Sequence, residues 1–90
     1  MPRILIVEDE EIIRSAVRKL LQHAGYEFAD VGSVEEAEDN HDPGEFDLII
    51  SDLRLPGAAG TELIRRAPDT PVLIMTSYAS LRSAVDSMKM

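Results

Sequence analysis

The chain is 90 residues long, sets 17 acidic against 9 basic side chains for a formal charge of −8, and has no cysteine. That length supplies one modest core, burying somewhat over ~60% of the surface the unfolded chain exposes. The charge argues against nucleic-acid binding by this chain, because phosphate contacts need a basic face, and the missing thiols exclude a disulfide framework and thiolate metal sites and suit a cytoplasmic setting.

Residues 3–7, RILIV, read as a first strand. Then EEIIRSAVRKLLQHAG places Ile12, Ile13, Ala16, Val17, Leu20 and Leu21 on one helical stripe, with Gly25 as its C-terminal stop. Residues 26–31, YEFADV, alternate in character, with Tyr26 and Phe28 on one face and Glu27 on the other, as a half-buried edge strand would. Ser33 and Glu36 form a capping box opening a short acidic helix, SVEEAED. The run from Phe46 to Ser51 is a third strand, followed by a loop with Pro56 and Gly57 and a brief helix around Thr61–Ala67 before Pro68. Residues 71–75, PVLIM, give a fourth strand, and Ser80 caps a last helix whose stripe is Leu81, Ala84, Val85 and Met88. That stripe reads as core, with an output surface as the other possibility. The apolar runs are far too short to cross a bilayer, and the start MPRILIV has no cleavable site, so neither a membrane span nor a signal peptide is expected.

Regular β-α alternation calls for a parallel sheet with right-handed crossovers and helices on both faces. Three continuously apolar strands suit interior positions and the alternating second strand suits an edge, giving a doubly wound α/β sheet of order 2-1-3-4. Ligands then bind beyond the carboxyl ends of the strands, where the order reverses. Glu8 and Asp9 follow the first strand, Asp52 follows the third, and Thr76 and Ser77 follow the fourth. Each has a plain reading alone: Asp9 as a helix N-cap, Asp52 as the opener of a turn with Pro56 and Gly57, Thr76 as a β-branched residue at a strand end. Together, three acids in one cleft repel one another and push one or more toward protonation unless a cation neutralises them. Oxygen ligands without histidine or cysteine suggest Mg2+.

The motifs LIVEDEE, SDLRLPG and IMTSYAS, in this order at the three strand ends, resemble a response-regulator receiver domain of two-component phosphorelay signalling. The resemblance runs over residues 1–90 as one domain and implies a flavodoxin-like sheet. It makes Asp52 a phosphoacceptor, Asp9 a direct Mg2+ ligand, Glu8 a ligand largely through water, and the backbone carbonyl of Arg54 the last protein ligand. Thr76 would donate its hydroxyl to a phosphoryl oxygen and act as the switch residue. The implied partners are a sensor histidine kinase and an output domain beyond the C-terminus, and the chain is a signalling module, not an enzyme.

The sequence departs from the family in lacking a fifth strand and fifth helix, so it reads as incomplete at its C-terminus. With them goes a lysine that pairs with the phosphoryl group; Lys89, at the end of the last helix, does not match it and reads as solvated. The alternative is therefore a receiver-like binding module deficient in phosphotransfer. A metal-dependent phosphatase with an aspartate nucleophile is a further rival, disfavoured because Arg54 holds the place of its second acid. An uncovered fourth strand, apolar on both faces, and sheet surface left bare without a fifth helix are expected to drive self-association.

Overall fold

The computed structural model describes residues 2–52, 62–75 and 78–88. Its elements are β1 (Arg3–Val7), α1 (Glu11–Ala24), β2 (Glu27–Val31), α2 (Val34–Asn40), a 3-10 turn at Pro43–Glu45, β3 (Leu48–Asp52), α3 (Glu62–Arg66), β4 (Val72–Met75) and α4 (Tyr78–Met88). The four strands form one parallel sheet in the order β2-β1-β3-β4, the doubly wound, flavodoxin-like arrangement that the alternation requires.

Strand alternation sorts the core into two layers. Leu5, Val7 and Ile49 face Val34, Ala37, Leu63 and Ala67 on the side of α2 and α3. Ile4, Ile6 and Ile50 face Val17, Leu21, Leu81 and Val85 on the side of α1 and α4. A strand buried on both faces reads as an unbroken apolar run, as residues 4–7 of β1 and 48–50 of β3 do. Right-handed crossovers send α1 to one face and α2 and α3 to the other. The expected bare surface on the α1 side is not found among the described residues, because α4 lies across it and seats Leu81 and Val85 against Met75 and Ile50.

Local detail corrects the sequence reading at several points. Ile12 is 85% exposed, whereas Val17 and Leu21 are fully buried. Five residues before Val17, it lies about 140° around the helix, outside the stripe it was grouped with. Gly25 ends α1 as expected, with φ 86° in the left-handed region and its N–H bonded to the carbonyls of Leu21 and Gln22. Ser33 Oγ accepts from the Glu36 N–H at 3.0 Å, but the Glu36 carboxylate takes the Gly32 N–H and not that of the cap residue, so the capping box is displaced by one position. β3 begins at Leu48, two residues later than Phe46, because the Pro43–Glu45 turn delivers Phe46 into the core beneath α2 and α3. The last helix starts at Tyr78, which leaves Ser80 inside its first turn and not at the cap. Pro56, Gly57 and Lys89, and the side chains of Ala84 and Met88, lie outside what is described. No described helix is long and apolar enough to cross a membrane.

Candidate functional site

The register of the sheet builds the site. Val7 pairs with Ser51 across β1 and β3, so one step further Glu8 stands beside Asp52. Alternation then sends both carboxylates to the face shared by Ile6 and Ile50. Glu8 is fully buried; its N–H donates to the carbonyl of Val31 at 3.0 Å, and its Oε1 accepts from the Glu10 N–H at 3.0 Å. Its Oε2 is buried without a hydrogen-bond partner among the described residues. Asp9 is exposed and Asp52 half-buried. Oxygens of Glu8, Asp9 and Asp52 all lie within 4.8 Å of one another.

Asp9 is not spent on capping. The helix opens at Glu11 with Glu10 as its cap residue, and no side chain supplies the cap bond. The carboxylate is left to the cleft, which removes the plainest alternative for it. Burial raises Glu8 most strongly, and Asp52 and Asp9 add to that, while the Glu10 N–H opposes; the result is a carboxyl pushed up to about 7. An acid that resists ionisation, with one oxygen unsatisfied, suits a site completed by a cation. The donor set is all oxygen, without histidine or cysteine in the cluster, which fits Mg2+.

The three predicted acids are thus brought together, while Arg54 and Thr76 lie outside the described residues. Sequence reasoning missed Arg14, whose guanidinium donates to the Glu8 carbonyl oxygen at 3.0 Å. Its spacing from Glu11 on α1 hinted at an ion pair, but nothing in the sequence pointed to a backbone oxygen as its target.

A family model described as a response regulator receiver domain matches residues 4–90. The response regulator protein FleR of Pseudomonas aeruginosa is 37% identical over 91 residues, covering 97% of this chain and 19% of FleR. The response regulator TrrA of Thermotoga maritima, solved in complex with Mg2+–BeF, is 34% identical at a TM-score of 0.75, covering 99% of this chain and 81% of TrrA. TrrA solved in complex with the histidine kinase ThkA gives a TM-score of 0.72 at 35% identity, covering 87% of this chain and 71% of that one. This chain spans about a fifth of the length of curated relatives such as FleR, PilR and DctD, at 19%, 20% and 20%. A family model that accounts for nearly every residue, together with solved regulators sharing this sheet, supports one conclusion: the chain belongs to the receiver-domain family of response regulators, the signalling modules of two-component systems.

Proposed function

We propose that residues 1–90 form a phosphoacceptor receiver domain in which Asp52 takes a phosphoryl group from a phosphohistidine of a sensor histidine kinase. The observation that carries this is the cluster of Glu8, Asp9 and Asp52, with one carboxylate oxygen of each within 4.8 Å of the others. Glu8, Asp9, Asp52 and the backbone carbonyl of Arg54 would hold Mg2+, Glu8 largely through water. Bound there, Mg2+ supplies charge compensation for the carboxylate nucleophile and the incoming phosphoryl group. Asp52 is half-buried at the end of β3, a position from which its carboxylate would meet a donor in line. An Asp52 oxygen bonds to phosphorus as the P–N bond to the donor imidazole breaks, and that electron pair leaves with the imidazole nitrogen. The Thr76 hydroxyl would donate to a phosphoryl oxygen and relay the change to an output segment.

The donor's docking surface is proposed beside the cleft, where Glu11, Ile12, Ser15, Ala16 and Lys19 line a shallow groove of about 550 Å³. Ile12 is the most exposed large apolar side chain among the described residues, and burying it against a partner offsets the cost of presenting it to water. Support for a kinase as that partner comes from the ThkA–TrrA complex, which shares this fold. We also place the reaction in the cytoplasm, and propose a second copy of the chain as a further partner at β4.

Incubation with acetyl phosphate and Mg2+, followed by peptide mass spectrometry, tests the reading. A phosphoryl group is expected on Asp52, dependent on Mg2+ and absent from Asp52→Asn. Mg2+ binding without any label favours a binding module deficient in phosphotransfer. Label on Ser51 or Thr76 discards the acyl-phosphate chemistry.

A further inference from the structure

We infer that Arg14 is a positioning residue that fixes the Glu8–Asp9 arm of the cleft by clamping the peptide between those two acids. The inference rests on the metal-binding reading above and deepens it.

The Glu8 carbonyl belongs to the peptide that joins Glu8 to Asp9, so its orientation decides where Asp9 leaves the strand. Arg14 Nη1 donates to that oxygen at 3.0 Å. On the other side, the Glu8 N–H is tied to Val31 of β2 at 3.0 Å. The residue that delivers both acids is therefore held through both of its backbone polar groups. A peptide free to rotate would instead spread the Asp9 carboxylate over many positions, at an entropic cost to any ion that needs it in one.

The clamp is itself clamped. Arg14 Nη2 bonds the Glu11 carboxylate, and its Nε lies 3.2 Å from Asp30 Oδ2. Arg18 Nη1 holds the same Asp30 oxygen at 2.8 Å, and its Nη2 reaches Glu11 at 3.1 Å. Two guanidinium groups face two carboxylates, so the charge of Arg14 is met outside the cleft and the acids of the site keep theirs for a cation. The Arg14 and Asp30 side chains are 21% and 26% exposed, so their limb of the network is the sheltered one, while the Glu11 limb is open to solvent. A planar fork can address a carbonyl and two carboxylates at once; an ammonium cannot.

Gly32 supplies the space. A Cβ there would stand 3.0 Å from Arg14 Nη1 and 3.4 Å from Glu36 Oε2. Its φ is not positive, since Gly25 alone among the described glycines has that conformation. A side chain here would press the guanidinium aside by a few tenths of an ångström, whereas the backbone itself sets no demand for glycine.

The test compares wild type with Arg14→Gln, Arg14→Lys, Gly32→Ala and the Arg14→Gln/Gly32→Ala double variant. Mg2+ affinity is read by titration calorimetry, and amide hydrogen exchange is read in metal-free protein. Arg14→Gln should weaken Mg2+ about tenfold, the usual effect of losing a group that orients a ligand. Arg14→Lys and Gly32→Ala should each weaken it by less, and the double variant should be no worse than Arg14→Gln, because both changes break one contact. In metal-free Arg14→Gln the Glu10 amide, held by Glu8 Oε1, should exchange faster while Leu5 and Ile6 keep wild-type rates, which separates loss of positioning from loss of fold. If Arg14→Gln does not fold, Arg14→Lys and Gly32→Ala carry the same comparison. Mg2+ affinity within twofold of wild type, with an unchanged Glu10 amide, overturns the inference. Absence of Mg2+ binding by wild type overturns the metal site instead, and the exchange measurement still decides the role of Arg14.

Discussion

At the scale of single residues, Glu8 is an acid set into an apolar wall, and its protonation ties stability to pH. Its carboxyl is pushed up to about 7 from an ordinary 4.5, first by burial and then by Asp52 and Asp9. Between those values the folded form binds more protons than the unfolded one. The resulting stabilisation is therefore complete below 4.5 and lost as pH rises through about 7. Metal-free protein should melt at progressively lower temperature between about pH 5 and about pH 8, with a change on the order of 2 kcal/mol. Glu8→Gln should flatten that profile. Mg2+ needs ionised ligands, so its stabilising effect should be larger at about pH 8 than at about pH 6, and its binding should release protons. A metal-free melting profile without slope would mean that Glu8 does not carry the buried proton. Asp9→Asn should remove most of the Mg2+ response and, by relieving repulsion, leave the metal-free form no less stable.

At the scale of elements, α1 performs two tasks on two faces. Leu21 packs in the layer with Val17, Leu81 and Val85, and Leu21→Ala should cost about 2–5 kcal/mol in a denaturant titration. Ile12 is exposed, so Ile12→Asp should change stability by no more than about 0.5 kcal/mol. The same substitution should slow phosphoryl transfer from a histidine kinase while leaving acetyl phosphate labelling intact; equal slowing of both would remove the groove as a docking surface. The pair also shows what a sequence exposes. β1 and β3 were legible because burial on both faces demands an unbroken apolar run, and Glu8, Asp9 and Asp52 stood out as acids ending such runs. Ile12 misled because apolarity marks a candidate for the stripe without fixing its angle around the helix. The Pro43–Glu45 turn has no periodicity to read, and α4 begins before its apolar pattern does. Arg14 was illegible in principle: Asp30 and the Glu8 carbonyl reach it only after β1, β2 and α1 have packed.

At the scale of the whole molecule, the sheet is asymmetric. β1 has β2 and β3 as neighbours, whereas β4 has only β3 among the described strands. No proline or charge interrupts VLIM, and Val72, Leu73 and Ile74 are only half-buried, so β4 offers an unblunted edge. Light scattering over a dilution series should show self-association that Ile74→Lys abolishes; a wild-type monomer at high concentration would exclude pairing through β4. With α4 covering the α1 face, that edge is the remaining reason to expect it. The asymmetry also sets a clock. Ile4, Leu5, Ile6 and Val7 are wholly shielded from solvent, and β1 is laddered on both sides, so its hydrogen bonds belong to the longest-lived class that a small domain possesses. Met75, level with Asp52, belongs to a strand laddered on one side among the described strands, where opening needs fewer bonds to break. Native-state amide exchange should therefore be slower along β1, from which Glu8 and Asp9 extend, than along β4, and equal protection of the two strands would refute that order. On that order two of the three acids follow the better protected strand, and a rearrangement of the cleft would begin at the less protected one.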